Sequence, residues 1–220
     1  MAARAALGEL PDRESTIVGL GSGSTSRLFV EELGARVRAG LRVVGVPTSE
    51  STRALAASLN IPLLGDEGPW EIDVNVDGAD EVSQDLDLIK GGGAAHTREK
   101  NVNYAAKRNV IIVDSSKLST RLGERWSVPI EVLPFAHRTT HAHLSRLGTP
   151  VLRSRDGAVV RTDAGNLIYD LAAGPIDDPG ALDRRLRAIP GVVETGLFVG
   201  RADVVLVADA TGVRRLERRR

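Results

Sequence analysis

Cysteine is absent from this 220-residue chain. That excludes disulfides, thiol nucleophiles and thiolate metal sites, and leaves any chemistry to oxygen and nitrogen groups. Aromatic residues make up only 3% of the chain, and 29 basic residues balance 29 acidic ones. There are too few rings for a base-stacking platform and no net charge to draw a polyanion, so no nucleic-acid role is expected. No apolar run reaches the roughly 18 residues of a membrane span. The opening MAARAALGELPDR lacks the basic-then-apolar layout of a signal peptide, so no membrane partner and a cytoplasmic location are expected. Lysine is scarce as well, with Lys90, Lys100, Lys107 and Lys117 the only four among the 29 basic residues. Arginine thus serves wherever a generic positive charge will do. A lysine, as a compact point charge suited to a narrow site, becomes a candidate in itself. The closing RRLERRR is expected to be a solvated, partly frayed terminus.

What is present is a chain that is 42% hydrophobic, enough to bury one large domain or one large and one small. Short β-branched runs alternate with helical patterns: TIVGL before SRLFVEELGARVRAG, RVVGVP before TSESTRALAASL, EIDVNV before DGAD, NVIIV before DSSKLSTRLG. In the first helix, Leu28, Val30, Leu33 and Val37 fall roughly on one stripe. This grammar predicts an α/β fold, a mostly parallel Rossmann-like sheet with helices on both faces. From Val128 the order becomes β-α-β-β-α-β, that of a small ferredoxin-like α+β domain. It is placed at residues 127–193 as an insertion, with residues 1–126 and 194–220 forming the larger domain and ADVVLVAD returning to the first sheet.

Four polar motifs begin where a predicted strand ends: 19–25, 48–52, 77–80 and 114–117. Ligands of open α/β sheets bind outside the carboxyl ends of the strands, so these loops should meet in one crevice. GLGSGST lacks the third glycine of a dinucleotide loop and the Gly-Lys of a P-loop. What remains is either a phosphate cradle, with backbone N–H groups and the hydroxyls of Ser22, Ser24 and Thr25 around Gly23 at a helix N-terminus, or a capped helix after a tight turn. TSEST reads most simply as a helix cap. Asp77 and Asp80, around Gly78 and Ala79, either suit sugar hydroxyls and a proton transfer during ring opening or serve only as turn formers and helix caps; no metal is expected there, because the neighbouring carboxylates lack a ligand spacing. In LIKGGGAAHTREK, Lys90 precedes Gly91, Gly92 and Gly93, where a backbone can approach a ligand closely and an ammonium can meet a developing oxyanion. A helix starting near Ala94 would put Ala95, Glu99, Val102 and Ala106 on one inward stripe. Burial among small apolar side chains would raise the Glu99 pKa toward that of a useful base; the alternative is an ordinary solvent-facing helical glutamate. Lys117, beside Ser115 and Ser116, is either a second anion contact or a surface lysine. HRTTHAH has no acidic or cysteine companion at ligand spacing and is not taken as a metal site.

In order, GLGSGST, TSEST, DVNVDGADEV, LIKGGGAAHTREK, IIVDSSKL, VPIEVLPFA, TDAGNLIYD and IPGVVETGLF resemble type A ribose-5-phosphate isomerase over essentially the whole chain. The resemblance implies interconversion of ribose 5-phosphate and ribulose 5-phosphate in the non-oxidative pentose phosphate pathway, without metal or cofactor. It also implies a homo-oligomer, a dimer in preference to a tetramer. It assigns the proton acceptor to Glu99 and the substrate contacts to Ser22 through Thr25, Asp77 through Asp80, Lys90 through Gly93, and Lys117. Three departures stand out: Ser22 where threonine is frequent, His96 where an apolar residue is usual, and a shortened helix before the first strand.

Overall fold

The computed structural model describes residues 1–11 and 15–218. The chain opens with α1 (Ala2–Ala6) and a 3-10 turn (Leu7–Glu9). There follow β1 (Thr16–Leu20), α2 (Ser24–Arg38), β2 (Val43–Pro47), α3 (Glu50–Ser58), β3 (Val74–Asp77), β4 (Glu81–Val82), β5 (Leu88–Ile89), α4 (His96–Ala105) and β6 (Asn109–Asp114). The second half runs β7 (Val128–Val132), α5 (His137–Leu144), β8 (Thr149–Leu152), β9 (Ser154–Arg155), β10 (Ala158–Val159), β11 (Leu167–Ala172), α6 (Pro179–Arg187), β12 (Val192–Thr195) and β13 (Leu197–Phe198). β14 (Val204–Asp209) and β15 (Gly212–Glu217) close it. Two compact units result. One comprises Met1–Ala79, Arg98–Ser116 and Arg201–Arg220, the other Asp80–Thr97 and Lys117–Gly200.

The first unit holds a six-stranded sheet in the order β15-β14-β6-β3-β1-β2, parallel throughout except for β15. Its strands are near-continuous apolar runs because both faces are covered: on one, Val18, Leu20, Val74, Val76, Val110, Ile112, Val204 and Leu206 share a core with Phe29, Val30 and Leu33 of α2 and with Ala2, Ala3 and Ala6 of α1; on the other, Val46 and Ile17 pack with Ile72 and with Val102 of α4. The α2 stripe is shifted from the predicted one. Leu28 is 53% exposed, while Ser26, Phe29, Val30 and Leu33 are buried, since the larger Phe29 takes the inward position. The basic tail is also more ordered than expected. Residues 212–217 form the edge strand, and Arg214 and Arg215 make ion pairs with Asp209, Glu9 and Glu217. Charged side chains on a sheet edge discourage pairing with another chain. Arg219 and Arg220 lie outside the described residues.

The second unit contains a four-stranded antiparallel sheet, β12-β7-β11-β8. With α5 and α6 between its strands, this is the ferredoxin-like arrangement. Its core joins Val128, Ile130, Val132, Tyr169 and Leu171 to Leu144 and Leu186 of the helices. Across Arg155, Asp156 and Gly157 the chain makes a short hairpin of β9 and β10, with Asp156 and Gly157 at positive φ in its two-residue turn; β8 pairs with β11. The unit is larger than residues 127–193. β5 pairs with β13 (Leu197↔Ile89), and Ile89 and Leu122 enter the same core, which draws in residues 80–97 and 117–126. The predicted helix in DSSKLSTRLG is only a 3-10 turn, Ser115–Lys117.

Candidate active site

In the first unit the carboxyl ends of β2, β1, β3 and β6 are neighbours, and each opens into a polar motif. Gly21 turns the chain after β1 and packs against β3 so closely that a Cβ would lie 2.0 Å from Asp77 Oδ1. Asp77 is fully buried, and its Oδ1 accepts from Ser22 N–H (3.2 Å), Ser26 Oγ–H (3.1 Å) and Gly78 N–H (2.8 Å). This carboxylate therefore ties the glycine turn to the end of β3. Ser22 Oγ shares hydrogen bonds with Thr48 Oγ1 (2.7 Å) and Thr52 Oγ1 (3.3 Å) and donates to Ser49 Oγ (2.8 Å). Thr48 and Thr52 donate onward to the carbonyls of Leu20 and Gly21. TSEST is thus more than a helix cap; it is the wall against which the glycine turn is built. Gly23, at φ +93°, leads into α2, whose N-terminus has no side-chain cap among the described residues. Ser24 is exposed and Thr25 half-buried, beside first-turn N–H groups that suit an anion.

The glycine loop of the second unit is held from both sides. Asp80 Oδ2 accepts Gly92 N–H at 2.7 Å, and Arg153 donates to the Gly91 and Gly92 carbonyls at 2.6 and 3.3 Å. Arg153 is itself fixed by a two-pronged pair with Asp170. Gly91 sits at φ +110°, where a Cβ would meet His96 Nδ1 at 2.7 Å; Gly93 is exposed, with nothing within 4 Å of a Cβ. Of the three glycines, only Gly93 leaves open space for a ligand's close approach. Lys90 is 3% exposed, its N–H bound to Gly196 O (2.9 Å) and its ammonium 5.5 Å from the Phe198 ring centroid. Lys117 is half-buried, with its ammonium 5.1 Å from the Trp126 ring.

Ala94 has φ +63°, so α4 starts at His96, two residues later than predicted. Glu99 is 4% exposed and Val102 2%. The buried side of α4 is far more polar than the expected small-apolar stripe, because His96, Lys100 and Asn103 are buried too. Of the HRTTHAH histidines, His137 Nδ1 lies 2.8 Å from the Tyr169 hydroxyl and His141 packs on the same ring. Burial holds the Tyr169 phenol above its ordinary pKa. Among the described residues, no three His, Asp or Glu side chains are grouped to hold a metal ion, and no helix is long and apolar enough to cross a membrane.

The sequence model of the family described as ribose 5-phosphate isomerase A (phosphoriboisomerase A) matches residues 44–212. The chain belongs to the ribose 5-phosphate isomerase A family. A family member from Methanothermobacter thermautotrophicus is 50% identical over 219 residues, covering 97% of this chain and 95% of its own. One from Thermomicrobium roseum is 49% identical over 210 residues, 94% of this chain and 89% of its own. Among solved structures, ribose 5-phosphate isomerase A of Methanocaldococcus jannaschii superposes with a TM-score of 0.92 at 42% identity, over 98% of this chain and 96% of that one. A D-ribose-5-phosphate isomerase in complex with phospho-erythronic acid gives 0.94 at 41% identity, over 99% and 96%.

Two side chains that brace this isomerase fold carry no local sequence signal. Arg153 is one arginine among many until β8 and β11 pair and set it beside Asp170. Glu131, 1% exposed on β7, accepts from Thr97 of α4, from Thr162 (2.8 Å) and from Asn166 (2.8 Å). It anchors the first turn of the helix that carries Glu99.

Proposed function

We propose that the chain interconverts ribose 5-phosphate and ribulose 5-phosphate as an aldose-ketose isomerase of the non-oxidative pentose phosphate pathway, with Glu99 moving the proton. The observation that carries this is a carboxylate 4% exposed in the first turn of α4, next in sequence to a braced glycine loop with a buried lysine. Phospho-erythronic acid, a phosphorylated sugar acid bound to a relative 41% identical, supports the substrate class. The open-chain sugar phosphate is held through its phosphate by Ser24 and Thr25, at the N-terminus of α2, and by Lys117. Glu99 removes the proton from the carbon beside the carbonyl. Charge then develops on an enediolate oxygen, met by the Lys90 ammonium and loop N–H groups, and the proton returns to the neighbouring carbon. Asp77 or Asp80 serves ring opening. Since Ser22 and Gly92 are engaged with protein partners, they shape the site more than they grip the sugar; Gly23, Gly78, Ala79, Gly91 and Gly93 supply its backbone walls.

The same proposal places the enzyme in the cytoplasm as a homo-oligomer, a dimer in preference to a tetramer. Exposed Leu133, Phe135 and Val151 are apolar surface that a second copy would cover. The test is ketose formation from ribose 5-phosphate in the presence of a chelator, expected for the wild type and reduced about 100- to 10,000-fold in Glu99→Gln. Wild-type turnover by Glu99→Gln refutes the assignment of the base.

A further inference from the structure

Glu81 follows Asp80 directly and has no part in the chemistry above, yet it is completely buried. A buried carboxylate is costly unless hydrogen bonds satisfy it. Glu81 accepts three: Ser119 Oγ–H at 2.6 Å and Arg125 N–H at 3.0 Å on Oε1, and Gly123 N–H at 2.8 Å on Oε2. All three donors lie on the segment between Lys117 and Trp126. The backbone reinforces the attachment, with Leu118 bridging Val82 and Ser119 N–H donating to Val82 O at 2.9 Å. Further along, the wholly buried Leu122 accepts Ile176 N–H at 2.8 Å. Gly123 has φ +82°, and a Cβ there would lie 2.1 Å from Gly174 O, so this donor is presented by a backbone that only glycine adopts without strain. A carboxylate offers acceptors alone and matches three donors without conflict. Glutamine would turn an NH₂ group toward at least one of them.

We infer that Glu81 is a positioning residue for substrate phosphate: it straps the 117–126 segment to β4 and thereby fixes the Lys117 ammonium, with Trp126 as its far support. The inference rests on the assignment of Lys117 to the phosphate proposed above. Full-length Glu81→Gln is expected to raise the KM for ribose 5-phosphate about tenfold, with kcat within about twofold of wild type. Because the effect runs through Lys117, Glu81→Gln combined with Lys117→Ala should have the KM of Lys117→Ala alone. An unchanged KM in Glu81→Gln, a loss confined to kcat, or KM effects that multiply in the double variant each overturn the inference. If Lys117→Ala itself leaves KM unchanged, the phosphate reading fails, and the route through Lys117 falls with it. Should Glu81→Gln not fold, Ser119→Ala removes one donor: a raised KM at constant kcat supports the inference, and an unchanged KM overturns it.

Discussion

Replacing Gly21 with alanine tests how the glycine turn is built. The added Cβ would stand 2.0 Å from Asp77 Oδ1, 2.3 Å from its Cγ and 2.6 Å from its Cα. The last of these is backbone, so no rotamer change relieves the overlap. β1 and β3 would have to separate where Gly21 N–H donates to Val76 O at 3.0 Å, and the three donors on Asp77 Oδ1 would lose their shared acceptor. Overpacking of this kind costs about 3 kcal/mol. For a chain of this size that lowers Tm by roughly 6–12 °C. Gly23→Ala is the control: a Cβ there meets nothing within 4 Å, and only its φ of +93° is strained, at about 1–2 kcal/mol. Differential scanning calorimetry of both variants, with KM for ribose 5-phosphate, reads the contrast. Gly21→Ala should fall well below Gly23→Ala in Tm and should also raise KM, because it moves the N-terminus of α2. A Gly21→Ala variant at least as stable as Gly23→Ala, with wild-type KM, would refute the idea that contact with Asp77 holds the turn.

Arg153→Leu removes both the brace on the glycine-loop carbonyls and the partner of Asp170; destabilisation of about 3 kcal/mol is expected in chemical denaturation, with kcat reduced more than KM. Arg153→Lys should not rescue it, since one ammonium cannot span Asp170 and Gly91 O together. Glu9 joins Arg215 (2.9 Å) and Arg108 (2.6 Å); the Arg215 hydrogen bond holds its carboxyl below the ordinary pKa against the opposing effect of burial, with Arg108 adding to the lowering. A lowered folded-state pKa means stability present above the unfolded value and lost as pH falls through the folded one. Glu9→Gln should therefore be about 1 kcal/mol less stable than wild type at pH 7, with the gap closing below about pH 4, as followed by urea titrations across that range.

The α/β architecture was readable because its signals are local. Apolar runs of strand length, helical periodicity and turn residues all act within a few positions, and polar motifs at strand ends mark the glycine turn, TSEST, Asp77 and Asp114 in the sequence itself. The misjudged features depend on what lies across space. Leu28 and Phe29 compete for one inward position, and neighbouring strands decide the winner. Ala94 looks helical by propensity, yet its positive φ delays α4 to His96. Ser22 and Asp77 read as ligand groups because both are polar and loop-borne, and what the sequence does not show is that the folded chain also enlists them for itself: Ser22 Oγ meets Thr48 and Ser49, and Asp77 Oδ1 accepts from Ser22, Ser26 and Gly78.

By itself the sequence determined the order and type of the main elements, the candidate base Glu99 and the loops that flank it, since backbone preference and burial periodicity are properties of short stretches. Only the tertiary structure decided which polar groups work for the fold. Arg153 finds Asp170 and the glycine-loop carbonyls, Glu131 finds Thr97, and Glu81 finds Ser119, Gly123 and Arg125 only after strands distant in sequence have paired. A hydrogen bond needs its partners within about 3 Å, and spacing along a chain says nothing about that distance until the chain has folded.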